Sequence, residues 1–427
     1  MMKRILSVVI LLALAAVMCL SFASCGYGGS GDAVTLYVYN WGEYISDGFD
    51  GTLDVNREFE IYCREELGMN VKVNYSTFSS NEDMYAKVSS GAAIYDVLIP
   101  SDYMIQRMIA EERLRPLNMD AIENYRYISD DFKGGNVYYE PQDGNVYSIP
   151  YFYGMIGVIY NTAIVDENEE AIGSWKLMFD PDTNHRGDIL QFNNSRDAFG
   201  TALYYLGYDV NEATEEQWRE ALDLLKGQKE IVQGYVMDEI FNKMKSGSAA
   251  ISSYYAGDFL SMYEDNEDLA FYYPKEGTNS YVDAMCVPSN AYHPELAEIY
   301  INFMCRPDIA FANAAYTYYA SPLDLDYIEA DGEYLEELAE YRTTMEEVHE
   351  DAMEILYGEM ADSVPSSAYL NLSDDKLTLL GDLWEELKVE SSIGTGIYVL
   401  CGVILAALIA LAVYHIIRRR RWAKLYD

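Results

Sequence analysis

Leu36-Tyr37-Val38-Tyr39-Asn40 has the composition of a short buried strand, and the segment that begins there decides the fold. A helical pattern follows over residues 53–67 and stops at Gly68, because glycine is favoured just past the end of a helix. Val71-Lys72-Val73-Asn74-Tyr75 then alternates apolar and polar residues, as a second strand does. A strand, a helix and a strand in this order predict a right-handed βαβ unit.

The same alternation continues farther along the chain. A helical stretch near residues 81–89 leads to Tyr95-Asp96-Val97-Leu98-Ile99-Pro100, which indicates a third strand. Thr214-Glu215-Glu216-Gln217 has the pattern of a capping box at the start of a helix. Residues 331–361 and 374–388 are also helical in pattern. Together these elements predict an α/β domain with a parallel sheet.

The N-terminal end differs in composition from the body of the chain. Residues 1–25 combine a basic start with an apolar run, which is typical of a secretory signal. Small residues before Cys25 indicate a lipoprotein signal, in which this cysteine is lipidated. Cleavage without lipidation is the alternative, because Phe22 is unusual at its position. Residues 26–33 form a glycine-rich flexible linker.

The C-terminal end contains a long apolar run. Residues 393–417 carry no Asp, Glu, Lys or Arg and are followed by Arg418-Arg419-Arg420-Arg421. As a helix this run spans roughly 37 Å, enough to cross a bilayer. A buried core helix is the alternative, but the length and the basic flank disfavour it. We therefore expect a C-terminal transmembrane helix, a cytoplasmic tail at 418–427 and a body that is extracytoplasmic, either periplasmic or extracellular.

Composition narrows the classes of function. The chain has 70 acidic and 29 basic residues and a net charge of −41. Such a surface argues against nucleic-acid binding and attracts cations, although solubility of an exported protein explains the charge equally well.

The cysteines of the body are Cys63, Cys286 and Cys305. They give no disulfide framework and no paired metal ligands, and at most one disulfide joins two of them.

Motifs for catalysis or metal binding do not occur in the sequence. The four histidines are not at metal-ligand spacing, and there is no GxSxG, Walker A or HExxH pattern. Asp180-Pro181-Asp182-Thr183-Asn184 begins like a calcium loop, but His185 replaces the required glycine and Gln191 cannot supply a bidentate carboxylate. We therefore predict no enzyme, no metal and no cofactor. Accidental carboxylate pairs are too numerous to exclude acid/base catalysis entirely.

Aromatic residues and isolated acids follow several predicted strands. These clusters are Trp41-Gly42-Glu43-Tyr44, Ser101-Asp102-Tyr103, Tyr254-Tyr255-Ala256-Gly257-Asp258 and Tyr281-Val282-Asp283. In open α/β sheets, ligands bind outside the carboxyl ends of the strands. Aromatic rings cover methylene groups and offer cation–π contact, and carboxylates accept hydrogen bonds from ammonium groups. The clusters favour an elongated apolar ligand with positive ends, although a core tyrosine beside a surface acid explains any one of them.

The order of these motifs resembles that of the bacterial spermidine/putrescine-binding proteins, the substrate receptors of polyamine ABC importers. Tyr39-Asn40-Trp41-Gly42-Glu43-Tyr44 is similar to the family's opening YNW-x-[DE]-Y. Asn81-Glu82-Asp83-Met84-Tyr85-Ala86-Lys87 is similar to its SNE-x-MYAK helix. Tyr95-Asp96-Val97-Leu98-Ile99-Pro100-Ser101-Asp102-Tyr103 is similar to its YD-hydrophobic-PS-x-Y strand. The resemblance covers roughly residues 34–390.

The resemblance implies an α/β, two-lobed periplasmic-binding-protein-like fold of type II, with crossing hinge strands and closure on the ligand. It implies one lobe of 34–146 and 284–325, and another of 147–283 and 326–390. The implied function is capture of a polyamine and its delivery to the permease and ATPase of an ABC transporter. The alternatives are a receptor for another small cationic amine and an exported carboxylate-dependent glycan hydrolase.

Position by position, the resemblance also implies a ligand site. The implied aromatic walls are Trp41, Tyr44, Tyr103, Tyr255, Tyr281 and Tyr319. The implied amine-binding carboxylates are Glu43, Asp197, Asp258 and Asp283, with Ser101 as a polar contact and Asn194 and Asp102 as further candidates. Tyrosines stand at 255 and 281 where many relatives have tryptophan, and the family's late glutamine falls near Leu370 or Asn371. The choice between spermidine and putrescine stays open.

Overall fold

The structure is a computed structural model that describes residues 33–389. The predicted signal sequence with its Cys25, nearly all of the predicted linker, and the cytoplasmic tail predicted at 418–427 lie outside the described residues. The described residues thus belong to the predicted body of the protein.

Strands of the described part of the chain form one mixed sheet of ten. They are β1 (Val34–Trp41), β2 (Val71–Phe78), β3 (Val97–Leu98), β4 (Ser148–Asn161), β5 (Ile189–Phe192), β6 (Val232–Val236), β7 (Ile251–Tyr255), β8 (Leu269–Tyr272), β9 (Thr278–Cys286) and β10 (Ser366–Ala368). Their order is β2-β1-β3-β9-β4-β7-β5-β6, with β10 beside β9 and β8 beside β4.

Helices pack against this sheet. The α-helices are α1 (Val55–Glu65), α2 (Asn81–Ser89), α3 (Asp102–Ala110), α4 (Lys176–Phe179), α5 (Ser195–Leu206), α6 (Glu215–Lys229), α7 (Glu239–Lys245), α8 (Ala256–Tyr263), α9 (Pro294–Met304), α10 (Pro307–Thr317), α11 (Leu325–Asp331), α12 (Leu335–Val348), α13 (Ala352–Tyr357), α14 (Glu359–Asp362) and α15 (Asp374–Val389). Short 3-10 helices lie at Phe49–Gly51, Met119–Ala121, Glu123–Tyr127, Asp130–Phe132 and Gly134–Asn136.

The first lobe is built on the predicted βαβ unit. Strand β1 is parallel to β2, with Val34 opposite Val71 and Trp41 opposite Phe78, and it is also parallel to β3. Helix α1 joins β1 and β2 and buries Phe59 in the core. Because all three strands run in one direction, their carboxyl ends lie at the same edge of the sheet.

Two long strands connect this lobe to the second one. Strands β4 and β9 pair antiparallel from Ser148 opposite Cys286 to Met155 opposite Ser280. Strand β9 also meets β3, whereas β4 continues into pairs with β7 and β8 of the second lobe. The two-lobed α/β fold expected from the sequence is thereby supported, and the residue limits of the two lobes stay a prediction.

The structure contains the helix cap predicted at Thr214 and shows the state of the three cysteines of the body. The capping box at α6 is present: the Thr214 hydroxyl accepts from the Gln217 amide, and the Gln217 side chain accepts from the Thr214 amide. The cysteines at 63, 286 and 305 are all buried and free, so the disulfide left open by the sequence does not form among them.

The expected fold class is corrected in one respect. It included a C-terminal transmembrane helix, but no helix between residues 33 and 389 is long and apolar enough to cross a bilayer. The last described helix, α15, begins with Asp374 and Asp375 and carries Lys388 in its last turn, so charge interrupts any apolar run. The span on which the expectation rested, 393–417, lies outside the described residues. The fold that the structure supports consists of the two α/β lobes.

Candidate ligand-binding site

A cleft opens where the carboxyl ends of β1 and β3 face the second lobe. In open α/β sheets this edge is where ligands bind. The residues that line it are Trp41, Gly42, Tyr44, Asn81, Glu82, Ser101, Asp102, Tyr103, Asn194, Asp197, Met237, Asp238, Phe241, Tyr254, Tyr255, Asp258, Asn279, Tyr281, Asp283, Tyr319 and Tyr369.

An amide side chain fixes the first-lobe wall of the cleft. Asn81, at the start of α2, donates from Nδ2 to Ser101 Oγ at 3.0 Å and to Tyr103 Oη at 3.1 Å. The Ser101 amide in turn donates to Asn81 Oδ1 at 3.1 Å. The Tyr103 hydroxyl donates to Glu82 Oε1 at 2.9 Å. The serine and the tyrosine are therefore held in place before any ligand arrives.

Asp283 lies on the connecting strand β9, at the floor of the cleft. The Tyr44 hydroxyl donates to its Oδ2 at 2.8 Å, whereas Oδ1 is buried and accepts no hydrogen bond of normal geometry among the described residues; the nearby Ser101 hydroxyl acts to lower the pKa of this carboxyl. Burial raises the pKa of Asp283 to about 7. The hydroxyl of Tyr281, two residues earlier on the strand, likewise has no partner within residues 33–389. Unpaired polar atoms of this kind are costly to bury, and they mark where a ligand would bind.

Asp197 occupies the first turn of α5, in the second lobe. Its Oδ2 accepts from Asn194 Nδ2 at 2.7 Å and from the Tyr255 hydroxyl at 2.8 Å. Burial raises the pKa of this carboxyl above its usual value. Asn194 is also the cap of the helix, since its Oδ1 accepts from the Asp197 amide at 2.8 Å. The amide therefore orients the carboxylate and does not add a second negative charge.

Asp258 lies in the first turn of α8 and is buried. Burial raises its pKa to about 8, and the charges of Asp238 and Glu43 add to the rise. Gly257, just before it, packs against a ring: a Cβ there would lie 2.7 Å from Tyr319 Cδ2. Glycine is therefore required here if the Tyr319 ring is to reach the cleft and make its edge-to-face contact with Tyr44, with ring centroids 4.5 Å apart.

Asp102 lines the cleft, but its oxygens have other partners. Its Oδ1 accepts from the Tyr103 amide at 2.6 Å. Its Oδ2 accepts from the Val282 amide of β9 at 3.1 Å and from the Tyr138 hydroxyl. Burial raises the pKa of Asp102 to about 7. This carboxyl ties the start of α3 to the connecting strand and so shapes the floor of the cleft.

The charge of the cleft is one-sided. Its lining includes the carboxyl groups of Glu82, Asp102, Asp197, Asp238, Asp258 and Asp283, and none of the described lining residues is Lys, Arg or His. A basic residue, Arg196, lies behind the wall, with its guanidinium carbon 4.5 Å from the ring centroid of Tyr369 and 5.8 Å from that of Tyr103. The cleft therefore favours a positively charged occupant.

Aromatic rings line the cleft together with the carboxylates. Within residues 33–389, no group of three or more His, Cys, Asp and Glu side chains has the geometry to hold a metal ion. The carboxylates are instead spread among aromatic rings, such as the edge-to-face pair of Tyr255 and Tyr281 with centroids 5.3 Å apart. Rings and separated carboxylates together suit ammonium groups joined by methylenes.

The residues implied by the sequence meet at this cleft, with one exception. The lining contains Trp41, Tyr44, Ser101, Asp102, Tyr103, Asn194, Asp197, Tyr255, Asp258, Tyr281, Asp283 and Tyr319. Glu43 does not line it: the residue is exposed on the rim with φ 49°, a left-handed conformation that is uncommon outside glycine. The roles of these residues in binding stay predictions.

Sequence reasoning missed several lining residues. Asn81 and Glu82 stood within the quoted SNE-x-MYAK motif, so a signal for them existed. Tyr369 is the neighbour of Leu370, near which the family's glutamine falls. Asp238 gave no motif, and only its place after the strand β6 could have indicated it.

Comparison with known proteins supplies the family. Residues 62–331 match the family described as bacterial extracellular solute-binding protein. The spermidine/putrescine-binding periplasmic protein of Escherichia coli is 30% identical over 294 residues, which are 68% of this chain and 78% of that protein.

Solved structures agree with this match. A spermidine/putrescine ABC transporter protein assigned in Listeria monocytogenes is 31% identical with a TM-score of 0.70, over 83% of this chain and 98% of that one. The spermidine/putrescine ABC transporter substrate-binding protein PotD of Streptococcus pneumoniae, solved with calcium and HEPES, is 29% identical with a TM-score of 0.61, over 84% and 99%. The resemblance drawn from the motifs is confirmed, and the chain belongs to the family of bacterial extracellular solute-binding proteins.

Proposed function

We propose that this protein is an extracytoplasmic receptor that captures a polyamine, spermidine or putrescine, and delivers it to the permease and ATPase of an ABC importer. The observation that carries the proposal is the cleft, in which six carboxyl groups and a cage of aromatic rings converge without a basic residue in the described lining. The names of the relatives support the ligand and the transport role, and the periplasmic relative of Escherichia coli supports the location. A receptor of this kind binds its ligand without converting it.

The floor of the cleft would hold one protonated amine. Asp283 Oδ1 and Tyr281 Oη, both lacking partners among the described residues, are free to accept N–H groups there. A hydrogen bond between an ammonium and a buried carboxylate is worth about 1.5–3 kcal/mol.

The second lobe would hold another amine. Asp197 is already oriented by Asn194 and Tyr255 and retains lone pairs for an N–H donor. The rings of Tyr255 and Trp41 line the space that the methylenes of the ligand would occupy, and each cation–π contact adds roughly 0.5–2 kcal/mol. Because these groups belong to both lobes, the ligand would stabilise the closed arrangement.

Binding of a cation is linked to protons. In the free protein, burial raises the pKa of Asp283 to about 7 and that of Asp258 to about 8. An ammonium group favours the ionised carboxylates, so it lowers these pKa values and displaces protons. We therefore expect affinity to rise with pH between about 6 and 8.

Isothermal titration calorimetry of the purified protein tests the proposal. We expect spermidine or putrescine to bind with micromolar or tighter affinity at pH 8, and betaine and free lysine to compete poorly. The expected discrimination follows from the need for two separated ammonium groups. A folded sample that gives no heat with any polyamine would refute the proposed function, and preference for betaine or lysine would change the ligand to another small amine.

A further inference from the structure

The mouth of the cleft holds a carboxylate that no motif indicates. Asp238 follows β6 in the second lobe and lines both the cleft and the groove outside it. It approaches Gly42 of the first lobe so closely that a Cβ on this glycine would lie 2.6 Å from Asp238 Oδ2. The two lobes therefore meet at this carboxylate, which remains exposed at the rim.

The Asp238 carboxylate has neighbours of like charge. Among residues 33–389 it makes no hydrogen bond and no ion pair, and the acids whose charges act on it are Glu43 and Glu239. The charges of Asp238 and Glu43 also act on Asp258 inside the cleft. Lys245, the basic residue that acts on Asp258, forms an ion pair with Asp265 at 2.8 Å. Asp238 and Glu43 thus lie together at the mouth, in a groove that Lys388 also lines.

Unpartnered atoms deeper in the same cleft show which way a ligand would point. Asp283 and Tyr281 are 5% and 7% exposed, and Asp283 Oδ1 and Tyr281 Oη have no partner in the described part of the chain. These atoms mark an inner end that is ready for one amine. The charge of Asp258 acts on Tyr281 at this inner end, and the charge of Asp238 acts on Asp258 in turn. Asp238 is therefore the lining carboxylate that the second lobe presents at the rim, beyond Asp258.

We propose that Asp238 forms an outer ammonium subsite, completed by closure of the lobes, that takes the third amine of a linear triamine. The inference rests on the proposed function and deepens it. A diamine held between Asp283 and Asp197 leaves this subsite empty, whereas a triamine places a positive charge beside Asp238. The subsite therefore favours the triamine and makes closure depend on a cation at the mouth.

Calorimetry with spermidine and putrescine, each on wild type and on Asp238→Asn, tests the inference. The matched control is Glu216→Gln, which removes one exposed acid on α6 that lines neither the cleft nor the groove outside it. We expect Asp238→Asn to lower the affinity for spermidine about fivefold, the upper end for an exposed ion pair, and to leave that for putrescine within about twofold. Glu216→Gln is expected to leave both affinities unchanged.

The binding results separate the outer subsite from the proposed function. Equal losses for the two amines, or no loss for either, overturn the outer subsite while leaving the polyamine receptor intact. Failure of wild type to bind either amine overturns the proposed function itself. The thermal midpoint of Asp238→Asn should lie within about 2 °C of that of wild type, because substitutions at exposed positions rarely disturb the fold. Such a result shows that a change in affinity does not come from unfolding.

Discussion

The floor and the mouth of the cleft are built in opposite ways. At the floor, Asp283 and Asp197 are buried and already accept hydrogen bonds from Tyr44, Asn194 and Tyr255. Their geometry is set by secondary structure, namely the strand β9 and the first turn of α5. The floor is therefore prepared for a ligand in the free protein, which lowers the cost of ordering side chains on binding.

At the mouth, the acids are exposed and are brought together by the lobes. Glu43 comes from the first lobe and Asp238 from the second, and Gly42 provides the space in which they approach. Exposed charges interact weakly and are screened by salt. The difference suggests a division of roles: the floor sets the affinity, and the mouth adjusts selectivity and closure.

The largest expected effect is at the floor. Asp283→Asn removes the buried charge while keeping the shape, so an ammonium group loses a charge-assisted hydrogen bond. We expect the affinity for polyamines to fall roughly 10- to 100-fold, which corresponds to about 1.5–3 kcal/mol. Calorimetry at pH 8 measures this loss. A loss no larger than that of Asp238→Asn would remove the distinction between floor and mouth.

The next effect is the dependence of binding on pH. Asp283 and Asp258, with pKa values of about 7 and about 8, are largely protonated in the free protein at pH 6 and must ionise to bind an ammonium. We expect the affinity to rise at least about tenfold from pH 6 to pH 8, because each displaced proton contributes up to tenfold per pH unit. Calorimetry in buffers of different ionisation enthalpy counts the protons. An affinity that does not change between pH 6 and pH 8, with no release of protons on binding, would contradict this expectation.

The same carboxyl groups affect the stability of the ligand-free protein with the opposite sign. Their pKa values are raised by burial above those of the unfolded chain, so the folded state binds more protons between about pH 4 and pH 8. The contribution of Asp283 and Asp258 to stability is therefore present at low pH and lost as the pH rises through 7 and 8. Polyamine should thus raise the thermal midpoint more at pH 8 than at pH 6.

Sequence reasoning succeeded where the signal is local. The βαβ unit follows from the alternation of apolar residues over 36–75, and the capping box at Thr214 follows from four consecutive residues. Asp283 and Asp258 were indicated because each stands beside aromatic residues in a short motif that resembles a known family. Such a motif places its residues correctly whenever the strand or helix that contains it forms.

Sequence-based prediction failed for residues whose position in the cleft depends on segments that are distant along the chain. Asp238 reaches the cleft only because the second lobe closes against Gly42, and no residue near it in sequence records that approach. Tyr369 arrives through β10, a strand of three residues that pairs parallel to β9. Glu43 belongs to the expected motif, yet the positive φ at this residue leaves its side chain on the rim. Tertiary packing decides each of these cases.

A smaller effect is expected at the contact between the lobes. Gly42→Ala adds a Cβ that would meet Asp238 Oδ2 at 2.6 Å, so the aspartate must move in the closed state. We expect a three- to fivefold loss of affinity, about 1 kcal/mol, without loss of stability in the free protein. Gly227→Ala is the matched control, because its Cβ would meet nothing within 4 Å inside the helix α6. Equal binding by Gly42→Ala and wild type would show that the lobes do not close as described.

The smallest effect is expected at Glu43, and this substitution separates the resemblance from the structure. If Glu43 were an amine ligand, Glu43→Gln would cost as much affinity as Asp283→Asn. Its exposure on the rim instead predicts a loss below about twofold, since an exposed charge contributes little to a bound state. The substitution should act mainly on the association rate at low salt, because a charge at the mouth attracts the cation before it is bound. Stopped-flow binding at two salt concentrations measures this rate. A change mainly in the dissociation rate would show that Glu43 contacts the bound amine directly, as Asp283 is proposed to do.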